Sequence, residues 1–310
     1  MFIDLFPPPF KHRTHGIPLI FGFFPRKRIS SNRSDKTTLA CKGGQGVFFN
    51  RNRNLKEGKM SEVVLERQEG EVWYISLNRP ERKNALNQEV SRRLLEALDK
   101  AERAGAKVIV LRGEGGDFCA GGDLRELYES EDRASLMEAS VGYLNMVLLK
   151  LRRTPAITVA VVEGYAVGAG LSLASACDLV IATEKALFNM GYRRIGLIPD
   201  GGGTAFLCKL LGFRNSNKLY LLSPTFDAKE AQAFGLVDFV FKEEELEEKL
   251  KELVGKLLSL PCEPVRYYKD LVNRWLFQGL EGQLEAEKSY VKELVKGPTV
   301  ENRIKEVLGK

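Results

Sequence analysis

Apolar and polar residues follow two different periods along residues 61–310, and these periods predict the elements of the fold. Short apolar runs that are rich in β-branched residues predict buried strands. The run Ile157–Val162, which lies between Pro155 and Gly164, is one of them. Further strands are predicted at residues 63–67, 72–77, 108–111, 179–182 and 236–241, and the first two of these flank Glu69-Gly70 as a β-hairpin.

Between and after these strands, apolar residues recur at helical spacing. Asn87 is a favourable N-cap for a helix that ends near Gly105, and Asp227 caps another helix that stops before Gly235. Other helices are predicted at residues 136–151, 171–176, 206–211 and 215–222, with three or four more from residue 243 onwards. Strands alternate with helices first and helices alone follow, so we expect an α/β fold with a helical C-terminal part.

Residues 1–59 show neither period and differ in composition from the rest. They carry 12 basic and 3 acidic side chains, whereas residues 60–310 carry 35 basic and 38 acidic ones. We expect a disordered basic leader that is not native, with the true start at Met60, because Lys56-Glu57-Gly58 is what a purine-rich ribosome-binding site would encode. A transit peptide is the alternative, although the prolines oppose an amphipathic helix. Mass spectrometry of the native protein decides, since an intact species beginning at Met1 contradicts this hypothesis.

The composition excludes several classes of function. The mildly acidic body offers no basic face for nucleic acid, and no apolar run reaches the length of a membrane span. The five cysteines are scattered without a Cys-x-x-Cys pair, which favours a reducing, cytoplasmic location, and no cluster has the spacing of metal ligands. Both histidines, His12 and His15, lie in the leader, so Ser172, Ser175 or Cys119 would lack a histidine base as nucleophiles.

A glycine-rich turn follows the predicted strand at residues 157–162. Gly164, Gly168 and Gly170 permit close backbone approach and leave unpaired N–H groups at the start of the next helix. One interpretation is the dinucleotide turn of short-chain dehydrogenases, but no tyrosine of this chain has a lysine four residues later. Tight packing alone is a second interpretation. The third is a site for developing negative charge, because Asp200 immediately precedes another glycine-rich turn.

Four linked motifs indicate a family. They are Asn-Arg-Pro at 78–80 with Asn-Ala-Leu-Asn at 84–87, FCAGGDL at 118–124, GYAVGAG at 164–170 with Cys177-Asp178 after it, and IGLIPDGGGT at 195–204. In this order they resemble the enoyl-CoA hydratase/isomerase (crotonase) family over about residues 62–310. Within that family the motifs are most similar to the enoyl-CoA isomerases and the phenylacetate-pathway ring isomerase.

The resemblance implies a crotonase-like spiral of β-β-α units. Residues 60–255 would form this core, and residues 256–310 a helical C-terminal region that assembles a homotrimer or a dimer of trimers. The resemblance also implies an acyl-CoA thioester substrate, with coenzyme A as part of the substrate and no other cofactor, no metal, and neither nucleic acid nor membrane as partner.

The resemblance further implies the residues of the site. The backbone N–H groups of Gly122 and Ala169 would hold the thioester oxygen as it becomes an enolate. Coenzyme A would lie over Lys83 and Ala85, and for Lys83 a solvated surface position is the alternative. The other residues implied to bind substrate are Ala120, Gly121, Gly122, Asp123, Leu124, Tyr165, Gly168 and Tyr192.

The chain departs from the family's hydratases at two positions. Hydratases of this family use two glutamates, and the corresponding residues here are Ser172 and Tyr192. Asp200 instead matches the position where the double-bond isomerases carry their acid. A single carboxylate can take a proton from one carbon and return it to another, so the sequence predicts an enoyl-CoA isomerase with Asp200 as the proton shuttle. A role as N-cap of the following helix is the alternative for Asp200.

Two other functions are compatible with the sequence: an enoyl-CoA hydratase of fatty-acid or phenylacetate degradation that uses Asp200 and a bound water, and a non-catalytic CoA-binding or RNA-associated homologue.

Three other acids are predicted to have structural roles. We expect Asp123 to cap its helix, Asp178 to serve a structural role at the start of a strand, and Glu163 to end a strand beside a glycine.

Overall fold

Two sheets organise residues 62–310, the part of the chain that the computed structural model describes. Their nine strands are β1 (Val64–Glu69), β2 (Val72–Leu77), β3 (Val108–Gly113), β4 (Ile157–Val162), β5 (Tyr165–Val167), β6 (Leu179–Thr183), β7 (Leu187–Asn189), β8 (Phe226–Asp227) and β9 (Phe239–Phe241). The larger sheet has the order β1-β2-β3-β4-β6-β9, and β5-β7-β8 form the smaller one. The predicted hairpin is confirmed, because β1 and β2 pair antiparallel, whereas the other neighbours in the larger sheet run parallel.

Ten α-helices accompany the strands of residues 62–310. They are α1 (Gln88–Arg103), α2 (Leu124–Glu129), α3 (Arg133–Arg153), α4 (Ala169–Ser175), α5 (Gly203–Leu222), α6 (Ala228–Ala233), α7 (Leu246–Leu258), α8 (Cys262–Leu276), α9 (Leu280–Leu294) and α10 (Pro298–Leu308). Asn87 caps α1 by accepting from the Val90 amide at 2.9 Å, and Asp227 forms a capping box with Glu230 at the start of α6. Both predicted caps are therefore confirmed.

The larger sheet is covered on both faces, which is why its parallel strands read as continuous apolar runs. All six residues of β4 are buried. Along β3, Ile109 and Leu111 point towards the core formed with α1 and α3, whereas Val108 and Val110 point towards α7. The α/β class with a helical C-terminal part, predicted from the sequence, is confirmed by this arrangement.

Three details differ from the predicted elements. The strand predicted at residues 236–241 is shortened to β9, because the amides of Leu236 and Val237 turn back to the Ala231 carbonyl at the end of α6. The helices predicted at 206–211 and 215–222 join as α5, which is kinked at Gly212 with φ of 72°. The short strands β5, β7 and β8 are additional, since two or three residues carry too little pattern to be recognised.

Four helices, α7 to α10, end the chain, where the sequence predicted three or four. Helices α8 and α9 pack against α3, while α10 packs against α2 and the turn at Tyr192–Ile195. The division into a core of residues 60–255 and a tail of residues 256–310 stays a prediction, and the predicted leader at residues 1–59 lies outside the described residues. No helix of residues 62–310 combines the length and the apolar composition needed to cross a bilayer.

A buried ion pair joins the larger sheet to the helical tail. Asp178, just before β6, accepts from the backbone amide and the hydroxyl of Thr158, both at 2.9 Å. Its carboxylate also lies 2.6 Å from the ammonium of Lys269 on α8 and 3.4 Å from the guanidinium of Arg152 on α3. The structural role predicted for Asp178 is thus confirmed, and it consists of neutralising two largely buried cations.

We expect Asp178→Ala to lower the free energy of unfolding by about 3–5 kcal/mol, because the substitution leaves buried cations without their partner. Urea unfolding followed by circular dichroism measures this change. The matched control is Asp270→Ala, since Asp270 on the same tail forms an exposed pair with Arg274 and should contribute about 0–1 kcal/mol. A loss of less than about 1 kcal/mol for Asp178→Ala would contradict the expectation.

Candidate active site

The loops that follow the carboxyl ends of β2, β3 and β4 surround a cavity of about 620 Å³, together with α3 and α10. In sheets with parallel strands, ligands bind in crevices at this end. All twelve residues that the sequence predicts for the site line this cavity. They are Lys83, Ala85, Ala120, Gly121, Gly122, Asp123, Leu124, Tyr165, Gly168, Ala169, Tyr192 and Asp200. Their placement together is established, whereas the role of each stays a prediction.

Two backbone segments that contribute residues to the cavity wall lie side by side. The Cys119 amide donates to the Tyr165 carbonyl at 2.8 Å, and the Val167 amide donates to the Cys119 carbonyl at 2.9 Å. Glycine is required for this approach. A Cβ on Gly170 would lie 2.4 Å from the Cys119 carbonyl oxygen, and one on Gly121 would lie 2.8 Å from that of Val167.

This approach brings two amide groups together. Within residues 62–310, neither the Gly122 amide nor the Ala169 amide donates to a protein acceptor. Ala169 is the first residue of α4, where the N–H groups of a helix have no partner in the preceding turn. A Cβ on Gly121 would lie 3.6 Å from the Ala169 nitrogen, so the peptide before Gly122 is close to it. Two donors without an acceptor among the described residues, one of them at the start of a helix, are suited to an oxygen that gains negative charge.

Asp200 is the buried acid of the cavity, with 5% of its surface exposed. The Tyr192 hydroxyl donates to its Oδ1 at 2.9 Å, and the Ser172 hydroxyl donates to its backbone carbonyl at 3.2 Å. Burial raises the pKa of Asp200 to about 7, with the hydrogen bond from Tyr192 opposing the shift and the charge of Glu287 adding to it. A carboxyl group with this pKa can both accept and release a proton near neutral pH.

Hydroxyl groups occupy the two positions where the family's hydratases carry glutamates. The Oγ of Ser172 and the Oη of Tyr192 lie 3.5 Å apart, and both side chains are buried. Burial raises the pKa of Tyr192 well above its ordinary value, and the charge of Asp200 acts in the same direction. Both groups are therefore neutral donors rather than acids, and Asp200 is the titrating group of this cluster.

The remaining acids of the cavity wall differ from Asp200, because each is either paired with a cation or more exposed to solvent. Asp123 accepts from the amides of Arg125 and Glu126 and pairs with Arg79 at 2.8 Å, so its predicted capping role is confirmed. Glu81 and Glu126 also line the cavity but are more exposed than Asp200. Outside the cavity, Glu163 pairs with Arg112 at 2.8 Å beside the end of β3, which agrees with a structural interpretation.

The cavity wall is divided between polar and apolar surfaces. At one part of the wall, the ammonium of Lys83 lies 4.0 Å from the centre of the Tyr165 ring and 3.9 Å from the Asp117 carboxylate, with 55% of its side chain exposed. Both the substrate-binding interpretation and the surface interpretation of Lys83 fit this position. Elsewhere α3 and α10 contribute a mainly apolar surface, formed by Leu136, Met137, Val141, Leu144 and Leu308. The described residues 62–310 contain no group of three or more metal-ligating side chains.

The sequence does not predict one buried carboxylate beside the cavity, that of Glu287 on α9. Its Oε2 accepts from the Gly202 amide at 2.7 Å and its Oε1 from the Thr204 amide at 2.9 Å, and the Thr204 hydroxyl also donates to it. The residue is 2% exposed. Nothing in the sequence distinguishes it from the other glutamates of the helical tail, because its position depends on how α9 packs against α5, more than 80 residues earlier.

Known proteins resemble this chain in sequence and in fold. The 1,2-epoxyphenylacetyl-CoA isomerase of Escherichia coli is 33% identical over 74% of this chain and 89% of its own length. The 2,3-dehydroadipyl-CoA hydratase of the same organism is 34% identical over 64% of this chain and 76% of its own length. Among solved structures, an enoyl-CoA hydratase from Bacillus halodurans superposes with a TM-score of 0.74 at 26% identity, covering 79% of this chain and 100% of its own.

The family model described as enoyl-CoA hydratase/isomerase matches residues 67–306. These residues contain the amides of Gly122 and Ala169, Asp200 and all the residues that line the cavity except Val307 and Leu308. The match also includes each of the four motifs on which the resemblance in the sequence was based. The chain belongs to the enoyl-CoA hydratase/isomerase family.

Proposed function

We propose that this acyl-CoA enzyme shifts the double bond of an enoyl-CoA, with Asp200 as the group that moves the proton. The observation that carries the proposal is a buried carboxyl group, with its pKa raised to about 7, in the same cavity as the amides of Gly122 and Ala169, which have no acceptor among residues 62–310. The chemistry needs one base and one place for negative charge, and these groups supply both.

In the proposed reaction, the thioester oxygen of a 3-enoyl-CoA accepts hydrogen bonds from the Gly122 and Ala169 amides. The Asp200 carboxylate removes a proton from C2, and the electron pair of that C–H bond delocalises into the carbonyl to give a dienolate. The protonated Asp200 then delivers the same proton to C4, and the double bond lies between C2 and C3. No atom is gained or lost, so no cofactor is needed beyond the coenzyme A that the substrate carries.

The hydroxyls of Ser172 and Tyr192 support an isomerase over a hydratase. Hydration requires one group to activate water and another to protonate the α-carbon. Here the positions of the two hydratase glutamates hold neutral hydroxyls, and both hydroxyls hydrogen-bond to Asp200. The competing function is a hydratase that uses Asp200 and a bound water. The similarity of the chain to 2,3-dehydroadipyl-CoA hydratase supports this alternative.

We expect Asp200→Asn to lower kcat for isomerisation of a 3-enoyl-CoA at least about 100-fold, because the amide cannot accept a proton. The absorbance of the conjugated thioester product measures the rate. In the parent protein, kcat/KM should fall as the pH drops below about 7, since protonation of Asp200 removes the base. Asp227→Asn, a change in the exposed cap of α6, is the matched control and should keep parental activity.

The same assay follows a 2-enoyl-CoA for hydration. Hydration that survives Asp200→Asn, with no isomerisation by the parent protein, would overturn the proposal in favour of another acyl-CoA activity. Salt-dependent binding of RNA by residues 60–310, without turnover of any enoyl-CoA, would instead favour a non-catalytic homologue.

We also propose that the protein is cytoplasmic and forms a homotrimer or a dimer of trimers. The scattered free cysteines of the described residues suit a reducing compartment. On α8, Tyr268, Leu271 and Trp275 are 69%, 66% and 85% exposed and recur at helical spacing, which is typical of an apolar stripe that another subunit covers.

Leu271→Asp should therefore reduce the molar mass measured by light scattering, because it places a charge in the proposed contact. Lys251→Asp, at an exposed position of α7, is the control and should leave the mass unchanged. A parent protein that is monomeric at micromolar concentration would contradict the proposed assembly.

A further inference from the structure

Glu287 is held by the turn that carries Asp200. Its carboxylate accepts from two backbone amides, those of Gly202 and Thr204, and from the Thr204 hydroxyl. The side-chain amide of Gln283, one helical turn earlier on α9, also donates to the Thr204 hydroxyl oxygen, at 2.7 Å. A buried carboxylate with these donors is well anchored, because each hydrogen bond to a charged acceptor is stronger than one between neutral groups.

The turn at residues 200–204 is fixed from both sides. On the side of the cavity, the Asp200 carbonyl accepts from Ser172 and Tyr192, and on the opposite side Glu287 holds the two amides that follow. The backbone between these anchors has positive φ at Gly201 and Gly202, 54° and 77°. A Cβ at these positions would lie 2.7 Å from Leu144 and 2.3 Å from Phe206, so the turn is closely packed as well as anchored.

We propose that Glu287 is a positioning residue for the reaction: it holds the turn at residues 200–204 and thereby keeps the Asp200 carboxylate against the acyl group. This inference rests on the proposed function of Asp200. It assigns a task to α9, which otherwise lies outside the cavity and contributes none of its lining residues.

Glu287 also acts on Asp200 through its charge. Its negative charge opposes ionisation of Asp200 and so raises the pKa of that group, after the larger effect of burial. The other titratable group that faces Asp200 is Tyr192, which lowers this pKa by donating a hydrogen bond. The contacts from α3 and α4 are uncharged, namely Leu144 and Leu148 against Gly201 and Ser172 on the Asp200 carbonyl.

The test compares Glu287→Gln with Glu285→Gln, an exposed glutamate on the same helix whose change should leave activity unaltered. Glutamine keeps one acceptor oxygen but carries no charge. Its side-chain NH₂ group would face one of the two backbone N–H donors, and two donors cannot form a hydrogen bond with each other. We expect kcat to fall at least about tenfold with KM nearly unchanged. We also expect the acid limb of kcat/KM to move to lower pH, because removal of the charge lowers the pKa of Asp200.

A second readout does not depend on turnover. Carboxyl ¹³C shifts of aspartate-labelled protein give the pKa of Asp200, whose signal is identified by its absence in Asp200→Asn. A lower value in Glu287→Gln, and a higher value in Tyr192→Phe, would support the inference. If the parent protein fails to isomerise any enoyl-CoA, the proposed function fails, while this titration still reports on Glu287.

An unchanged kcat in Glu287→Gln would overturn the positioning role, whether or not the titration of Asp200 changes. Should that variant fail to fold, Thr204→Val takes its place, since it removes one donor and keeps the charge. Thr204→Val should lower kcat several-fold and leave the pKa of Asp200 unchanged. Parental kcat in a folded Thr204→Val protein would equally overturn the positioning role.

Discussion

The burial of one carboxyl group is the constraint on which the site depends. Moving a carboxylate out of water is costly unless hydrogen bonds or a counter-charge compensate, and otherwise the group shifts its pKa towards the neutral form. Asp200 has one side-chain donor, Tyr192, and a second carboxylate nearby rather than a cation. The protein therefore holds this group between its two protonation states, and a proton shuttle uses both.

The rest of the fold places that group in the same cavity as the backbone amides of Gly122 and Ala169. The backbone segments that begin at Cys119 and Tyr165 are joined by main-chain hydrogen bonds, and α4 starts where they meet. Amides placed by a sheet and a helix need no rearrangement when charge develops on a substrate oxygen, which is the condition for efficient electrostatic stabilisation. Gly170 and Gly121 are needed here because any side chain would separate the two segments.

The sequence was most informative where the signal is local. The caps at Asn87 and Asp227 and the apolar run of β4 depend on neighbouring residues, so the hairpin and the helices could be predicted. The cavity-lining residues were implied by the resemblance of the four motifs to a known family. The two- and three-residue strands of the smaller sheet could not, because pairing between distant segments creates them. Glu287 was missed for the same reason, since its partners are the amides of another helix.

The exchange of two acids for hydroxyls explains why the neighbourhood of Asp200 is electrostatically simple. Glutamates at positions 172 and 192 would add negative charge within hydrogen-bonding range of Asp200 and raise its pKa further, leaving it protonated at neutral pH. Ser172 and Tyr192 instead donate to Asp200 without competing for its proton. The carboxylate that is retained, Glu287, contacts the start of α5, where hydrogen bonds from Thr204 and Gly202 oppose the rise in its pKa that burial causes. Under the proposed function, a single acid that carries the proton suits the movement of a proton within one substrate better than the addition of water across a double bond.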